Sequence, residues 1–267
     1  MSVLEDIGDN AIEHLAYVGR LSMQFWSSLL AIPRILPMVG RRGRWLAAIQ
    51  QMAEIGVDAL PMIATVSVSA GFIFAMQSGN ELRRFGALSL VINIIAIGFT
   101  RELGPLFTAI VVSSRSGSAF SAEIGTMTVT NEIDVLRTMG LNPIEFVLAP
   151  KYVAALIVVP CLVIMSDLFG ILAGGVFMLL STKMTLLMYL RAVANSIVLR
   201  DLYTGFVKSI AFATIVVHVG CLEGFKTWGG PEAVGRSTTS AVVKSTLLVI
   251  LADAVFTAIF YVTNFNS

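Results

Sequence analysis

From Ala59 to Asn80 the chain carries no charged side chain. A helix needs about 20 such residues to cross the hydrocarbon core of a bilayer, so this run constrains the fold more than any other feature. Four more apolar stretches follow. They run from about Phe85 to Ser114, interrupted by Arg101 and Glu102; within Tyr152 to Thr182, with Asp167 as the one charge; from about Leu202 to Leu222, containing Lys208; and from about Ala241 to Val262, containing Lys244 and Asp253. Charged residues make up 13% of the 267, against roughly 25% in soluble domains. That share is too small to coat a water-facing surface of this size, which excludes an ordinary cytosolic enzyme and a disordered chain. The sequence predicts an all-α integral membrane protein with five transmembrane helices. A net charge of +1 gives no field that would draw nucleic acid.

Residues 1–45 read as an N-terminal interfacial region and 46–267 as one five-span domain. Leu15, Val18, Leu21, Phe25, Trp26, Leu29 and Ile32 recur at helical spacing, with Glu13, Arg20 and Gln24 between them. This is the pattern of an amphipathic helix lying in the membrane interface; an ordinary packing helix is the other reading. Pro33 and Pro37 end it, and Arg41, Arg42 and Arg44 beside Trp45 suit a cytoplasmic membrane surface. Glu5, Asp6, Asp9 and Glu13 are the wrong charges for a cleaved signal peptide.

With a cytoplasmic N-terminus, the inner segments hold Arg20, Arg34, Arg41, Arg42, Arg44, Arg115, Arg137, Lys151, Lys226, Arg236 and Lys244. The outer ones hold Arg83, Arg84, Lys183, Arg191, Arg200 and Lys208. The excess favours an N-terminus inside and a C-terminus outside. The polar stretch Arg115–Lys151, with Glu123, Asn131, Glu132, Asp134 and Arg137, reads as a water-side helix over about 116–141 ended by Gly140, with Pro143 beyond. Such a helix between spans 2 and 3 either docks into another protein or is a solvated connection. Leu186–Val198 reads as a short amphipathic segment, and Trp228, Gly229, Gly230, Pro231 and Gly235 as a glycine-rich loop.

Motifs for catalysis are missing. The sequence has no GxxxxGK[ST] phosphate loop, no HExxH and no GxSxG. Cys161 and Cys221 sit in apolar stretches as buried, inert thiols, and His218 reads as a hydrogen-bonded core residue. The informative residues are ionisable groups at membrane depth, which cost about 2.5–3.5 kcal/mol each on insertion scales and so face a partner or a wet cavity. Arg101 and Glu102 are consecutive, about 100° apart on a helix, and Lys208 and Asp253 lie within later spans. They form either a polar ring that meets a headgroup or a structural salt bridge. Asp167 reads as a structural polar contact. Gln77 either lines the same cavity or caps its span, with Phe74, Leu82 and Phe85 around it.

Arg101-Glu102-Leu103-Gly104-Pro105 resembles the RELGP signature of MlaE-type permeases, the membrane subunits of MCE-associated phospholipid ABC transporters. Ser118-Ala119-Phe120-Ser121-Ala122-Glu123-Ile124-Gly125-Thr126-Met127 is similar to the family's SAxxAEIGxM, continuing through Glu132-Ile133-Asp134-Val135-Leu136 to Met139-Gly140 and Pro143. Arg200-Asp201-Leu202, Lys208-Ser209 and Gly235-Arg236-Ser237-Thr238-Thr239 also fit.

The resemblance implies an interfacial helix plus five spans, with a cytoplasmic coupling helix between spans 2 and 3. It implies a homodimer in the bacterial inner membrane, paired with a cytoplasmic ABC ATPase dimer, an MCE-domain ring protein on the periplasmic side and, in some systems, a STAS-domain subunit. The chain itself would be non-catalytic and bind no cofactor, with ATP and Mg on the ATPase. It would move phospholipid between inner membrane and outer envelope, maintaining outer-membrane lipid asymmetry. Lipid-facing roles carry over to Arg101 and Glu102, with Lys208 and Asp253 at matching positions. Coupling roles carry over to Glu123, Gly125, Glu132, Asp134 and Gly140. The residues alone also allow a secondary transporter or channel driven by an ion gradient, with Glu102 and Asp253 relaying protons.

Overall fold

The computed structural model of the protein describes residues 16–17, 19–30, 42–182 and 184–263, with the backbone alone for 42–48. The stops at Pro33 and Pro37, the cluster Arg41, Arg42, Arg44 and Trp45, and the acidic Glu5–Glu13 segment therefore lie outside the described side chains.

Every regular element among the described residues is helical. Helix α1 covers 19–30, α2 Arg42–Gly56, α3 Leu60–Arg84, α4 Leu90–Gly98, α5 Gly104–Val112, α6 Ser118–Val129, α7 Glu132–Thr138, α8 Ala149–Ser181, α9 Leu186–Ser196, α10 Leu199–Phe225 and α11 Pro231–Val262. Five continuous stretches are long and apolar enough to cross a membrane: Ile49–Arg84, Leu90–Val129, Ile144–Ser181, Leu199–Phe225 and Pro231–Val262. Successive spans alternate in direction, so α7 and α9 fall at opposite ends of the bundle.

The second span differs from its sequence reading. It does not stop near Ser114. Helices α4, α5 and α6 run on as one 40-residue stretch through π turns at Phe99–Leu103 and Ser113–Gly117. The expected single water-side helix over 116–141 is thus the end of a spanning helix plus the separate seven-residue α7. The hydroxyls that make this region look polar bond carbonyls of the same helix: Ser118 to Ser114, Thr126 to Ala122 and Thr128 to Ile124, at 2.6–2.8 Å. Hydroxyls satisfied in this way do not require water. The helix breaks only at Thr130–Asn131, where Asn131 adopts φ +62°.

Two outer spans pack through stripes of mostly small residues at every fourth position. On α3 these are Ile63, Ser67, Gly71, Ala75 and Gly79; on α11 they are Ala233, Ser237, Ala241, Ser245 and Val249. Small side chains let backbones approach closely, the usual basis of helix association in lipid. At the α3–α8 crossing, a Cβ on Gly71 would lie 2.1 Å from the Gly170 carbonyl oxygen. Ser67 Oγ and Ser166 Oγ share a hydrogen bond of 2.7 Å there, and Ser113 bonds Ser245 across α11. Gly174 and Gly175 give close contact to Ile95 and Tyr189, and α8 continues past them.

The opposite face of α11, including Val243, Leu247, Ile250, Leu251 and Val255, is bare and apolar. A contiguous face of this kind suits lipid or another apolar surface rather than water. Helix α1 rests on α10. Its Phe25 packs into the core, and its Ser28 meets His218 Nε2 at 2.7 Å. His218 Nδ1 lies 2.7 Å from the Thr214 carbonyl, which can only accept, so Nδ1 carries the proton and Nε2 takes the Ser28 hydroxyl. Cys221 is buried as expected, but Cys161 is exposed on α8.

Candidate functional site

The π turn at Phe99–Leu103 creates the site. Pro105 has no N–H, so it cannot bond the Arg101 carbonyl four residues back. Gly104 N–H instead reaches the Phe99 carbonyl, five residues back. The widened turn presents two consecutive charged side chains in mid-span, and such π bulges are common at functional positions. Helix α10 comes close because Gly205 lacks a side chain: a Cβ there would sit 2.4 Å from the Thr100 carbonyl oxygen.

Lys208 on α10 is 1% exposed. Its ammonium donates to Glu102 and, at 2.9 Å, to Thr257 Oγ1, and it lies 2.8 Å from Asp253 Oδ1. Thr257, one turn beyond Asp253 on α11, donates to Glu102 Oε1 at 3.1 Å. Arg101 turns the other way and donates through Nε to Asp201 Oδ1 at 2.5 Å. Asp201 is fully buried, and its second oxygen accepts the Val198 N–H at 3.0 Å, which closes the first turn of α10. Glu102 remains 37% and Arg101 26% exposed. The cleft that holds them, with Arg200, Thr204, Phe260 and Tyr261, has a volume of about 90 Å³. A buried, hydrogen-bonded network of this type holds its geometry because leaving any one charge without its partner is costly.

The structure thus joins Glu102, Lys208 and Asp253 in one cluster, with Arg101 beside it. Sequence reasoning missed Asp201 and Thr257. A carboxylate in the first turn of α10 and a hydroxyl four residues after Asp253 were the available signals. The other four expected residues lie on or just past α3, away from this cleft. Phe74 and Leu82 pack into a second apolar core formed by α3, α4, α8 and α9, while Gln77 and Phe85 are exposed. Asp167, expected to make a structural polar contact, has no hydrogen-bond partner at Oδ1. That oxygen lies against Gly104, where a Cβ would be 1.7 Å away.

The five expected coupling residues divide into two groups. Glu123 bonds buried Lys151 at 2.6 Å from a half-exposed position on α6, and a Cβ on Gly125 would lie 2.9 Å from Thr227 Oγ1, so Gly125 packs inside the bundle. Glu132 and Asp134 are exposed on α7, and Gly140 follows it at φ +74°. Val135 on that short helix and Met139 just past its end are exposed. The region offers an acidic and apolar protrusion at one end of the bundle.

The family described as Permease MlaE matches residues 48–259. A probable ABC transporter permease protein of Rickettsia felis is 30% identical over 264 residues, 98% of both chains. One of Synechocystis is 33% identical over 205 residues, covering 77% of this chain and 78% of its own. The chloroplast protein TRIGALACTOSYLDIACYLGLYCEROL 1 of Arabidopsis thaliana is 31% identical over 227 residues, 85% of this chain and 65% of its own.

Proposed function

The chain belongs to the MlaE permease family, and from that premise we propose that it is the membrane subunit of an ATP-driven ABC transporter that moves phospholipids between inner membrane and outer envelope, in maintenance of outer-membrane lipid asymmetry. The observation that carries the reading is the half-open charge cluster of Arg101, Glu102, Lys208 and Asp253, set beside the bare apolar face of α11. A diacyl lipid needs apolar walls and a few polar groups, and ligand pockets run to about 300–1,000 Å³. A cleft of about 90 Å³ is too small within one chain. A second copy closing over the same face would complete it, by the two-fold symmetry usual in homodimers.

In this reading the energy is supplied by a cytoplasmic ATPase dimer, which carries ATP and Mg and docks on α7 at Glu132 and Asp134. Glu123, Gly125 and Gly140 hold the docking segment in place. The N-terminus and α7 lie in the cytoplasm and the C-terminus in the periplasm, where an MCE ring protein exchanges lipid with the permease; a STAS-domain subunit completes the assembly in some systems. A relative named for a glycerolipid supports lipid as the cargo.

The test is reconstitution of the chain with its ATPase in vesicles containing fluorescent phospholipid. Glu102→Ala is expected to slow lipid transfer at least tenfold while the complex still assembles. Transfer at the normal rate would make the cluster structural. Transport by the chain alone, driven by a proton gradient, would favour the ion-coupled alternative.

A further inference from the structure

A second groove, remote from the charge cluster, opens between α1 and the connection from α7 to α8. It has a volume of about 410 Å³. Its polar walls are Arg20, Gln24, Arg137 and Asn142, and its floor is formed by Leu222 and Phe225. We propose that it binds an anionic phospholipid, with the headgroup phosphate between Arg20 and Arg137 and the first part of an acyl chain on Leu222 and Phe225.

Gln24 is the key observation. It is 6% exposed, and neither its Oε1 nor its Nε2 has a hydrogen-bond partner. A buried amide left unsatisfied at both ends is costly, and such groups generally have a partner. Phosphodiester and ester oxygens would accept from its Nε2, and a headgroup hydroxyl would donate to its Oε1. Arg137 uses Nη1 on Asp134 at 3.0 Å, and a guanidinium has further donors to offer an anion.

The surrounding charges also favour an anion. Lys226 and Lys244 stand over the Tyr17 ring at 4.2 and 4.9 Å, ahead of α1. The carboxylate facing them, Glu223, already bonds Lys244 at 3.0 Å and Ser240 at 2.7 Å. Burial, then the nearby Glu223, pushes the Tyr17 phenol above the usual tyrosine range, so it adds no negative charge.

Depth selects a lipid over a free phosphate. Ile144 begins the third span, and Leu222 and Phe225 close the fourth. The groove therefore lies where headgroups meet acyl chains, and its floor is apolar. Exposed Met23 and Trp26 on α1 flank it, and tryptophan is enriched at that level. Bound lipid would brace α1 against the segment that leads from α7 into α8. The inference rests on the membrane reading alone, not on the identity of the cargo.

The test uses the full chain, purified in detergent without any ATPase, with bound lipid counted by native mass spectrometry. Phosphatidylglycerol, phosphatidylcholine and soluble glycerol phosphate are the probes. Phosphatidylglycerol should be retained at least tenfold more than phosphatidylcholine, and one bound copy per chain should be lost in R20A/R137A. Gln24→Leu, which removes the orphaned amide without opening a cavity, should reduce retention about fivefold and keep the helical circular dichroism; it decides the matter if the arginine pair does not fold. Equal retention of both lipids, or retention unchanged in the variants, would overturn the proposal. Glycerol phosphate competing as well as the lipid would make this a free-phosphate site. A partner protein segment filling the groove in a structure of the assembled complex would overturn it as well.

Discussion

Glu102 and Glu132 are both glutamates, yet they occupy opposite situations. Glu102 shares a buried ammonium with Asp253 at membrane depth. Glu132 lies on an exposed short helix, where it accepts from the Thr130 hydroxyl at 2.9 Å. The difference is one of solvent. At membrane depth a charge persists only with a partner, so each member of the cluster supports the fold as well as any cargo. On α7 water can solvate each charge, and exposed pairs such as Asp134–Arg137 contribute at most about 1 kcal/mol. Substitution in the first region therefore tests stability and transport together. Substitution in the second isolates partner docking.

Three substitutions would break or sharpen this contrast. Lys208→Ala leaves two carboxylates without their shared cation and should cost about 3–5 kcal/mol, read as a large fall in thermal midpoint in detergent. Adding Asp253→Asn and Glu102→Gln to it should recover part of the loss, and no recovery would mean that lysine packing, not charge, holds the cluster. Gly125→Val drives a side chain into Thr227 and should cost about 1–3 kcal/mol. If its thermal midpoint stays unchanged while coupling is lost, Gly125 belongs with the exposed residues of α7 instead. Glu132→Lys should shift stability by no more than about 0.5 kcal/mol and still abolish partner-stimulated ATP hydrolysis. Normal hydrolysis rates would remove Glu132 from the docking surface.

The sequence made the spans legible because a bilayer sets a minimum length for an apolar helix, and five stretches meet it. It located Arg101, Glu102, Lys208 and Asp253 for the same reason, since charge inside such a stretch stands out. It misjudged 113–129. Window composition counts serine and threonine as polar, but here these hydroxyls, Ser116 excepted, are satisfied by their own helix or by a neighbour such as Ser245. The exposed thiol of Cys161 was misread because an apolar surrounding means burial in water but not in lipid.

The pairings were beyond reach. Arg101 and Asp201 are 100 positions apart, and Glu102 and Lys208 are 106 apart. Hydropathy along a chain says that a charge needs a partner, not which one. The solvent of this protein and its number of spans were settled by local chemistry, because transfer into lipid is nearly additive along a segment. Only the packing of α3, α10 and α11 through small residues decided which charges meet, which amide is left unpartnered and which face stays bare. Those outcomes depend on contacts between segments distant in sequence.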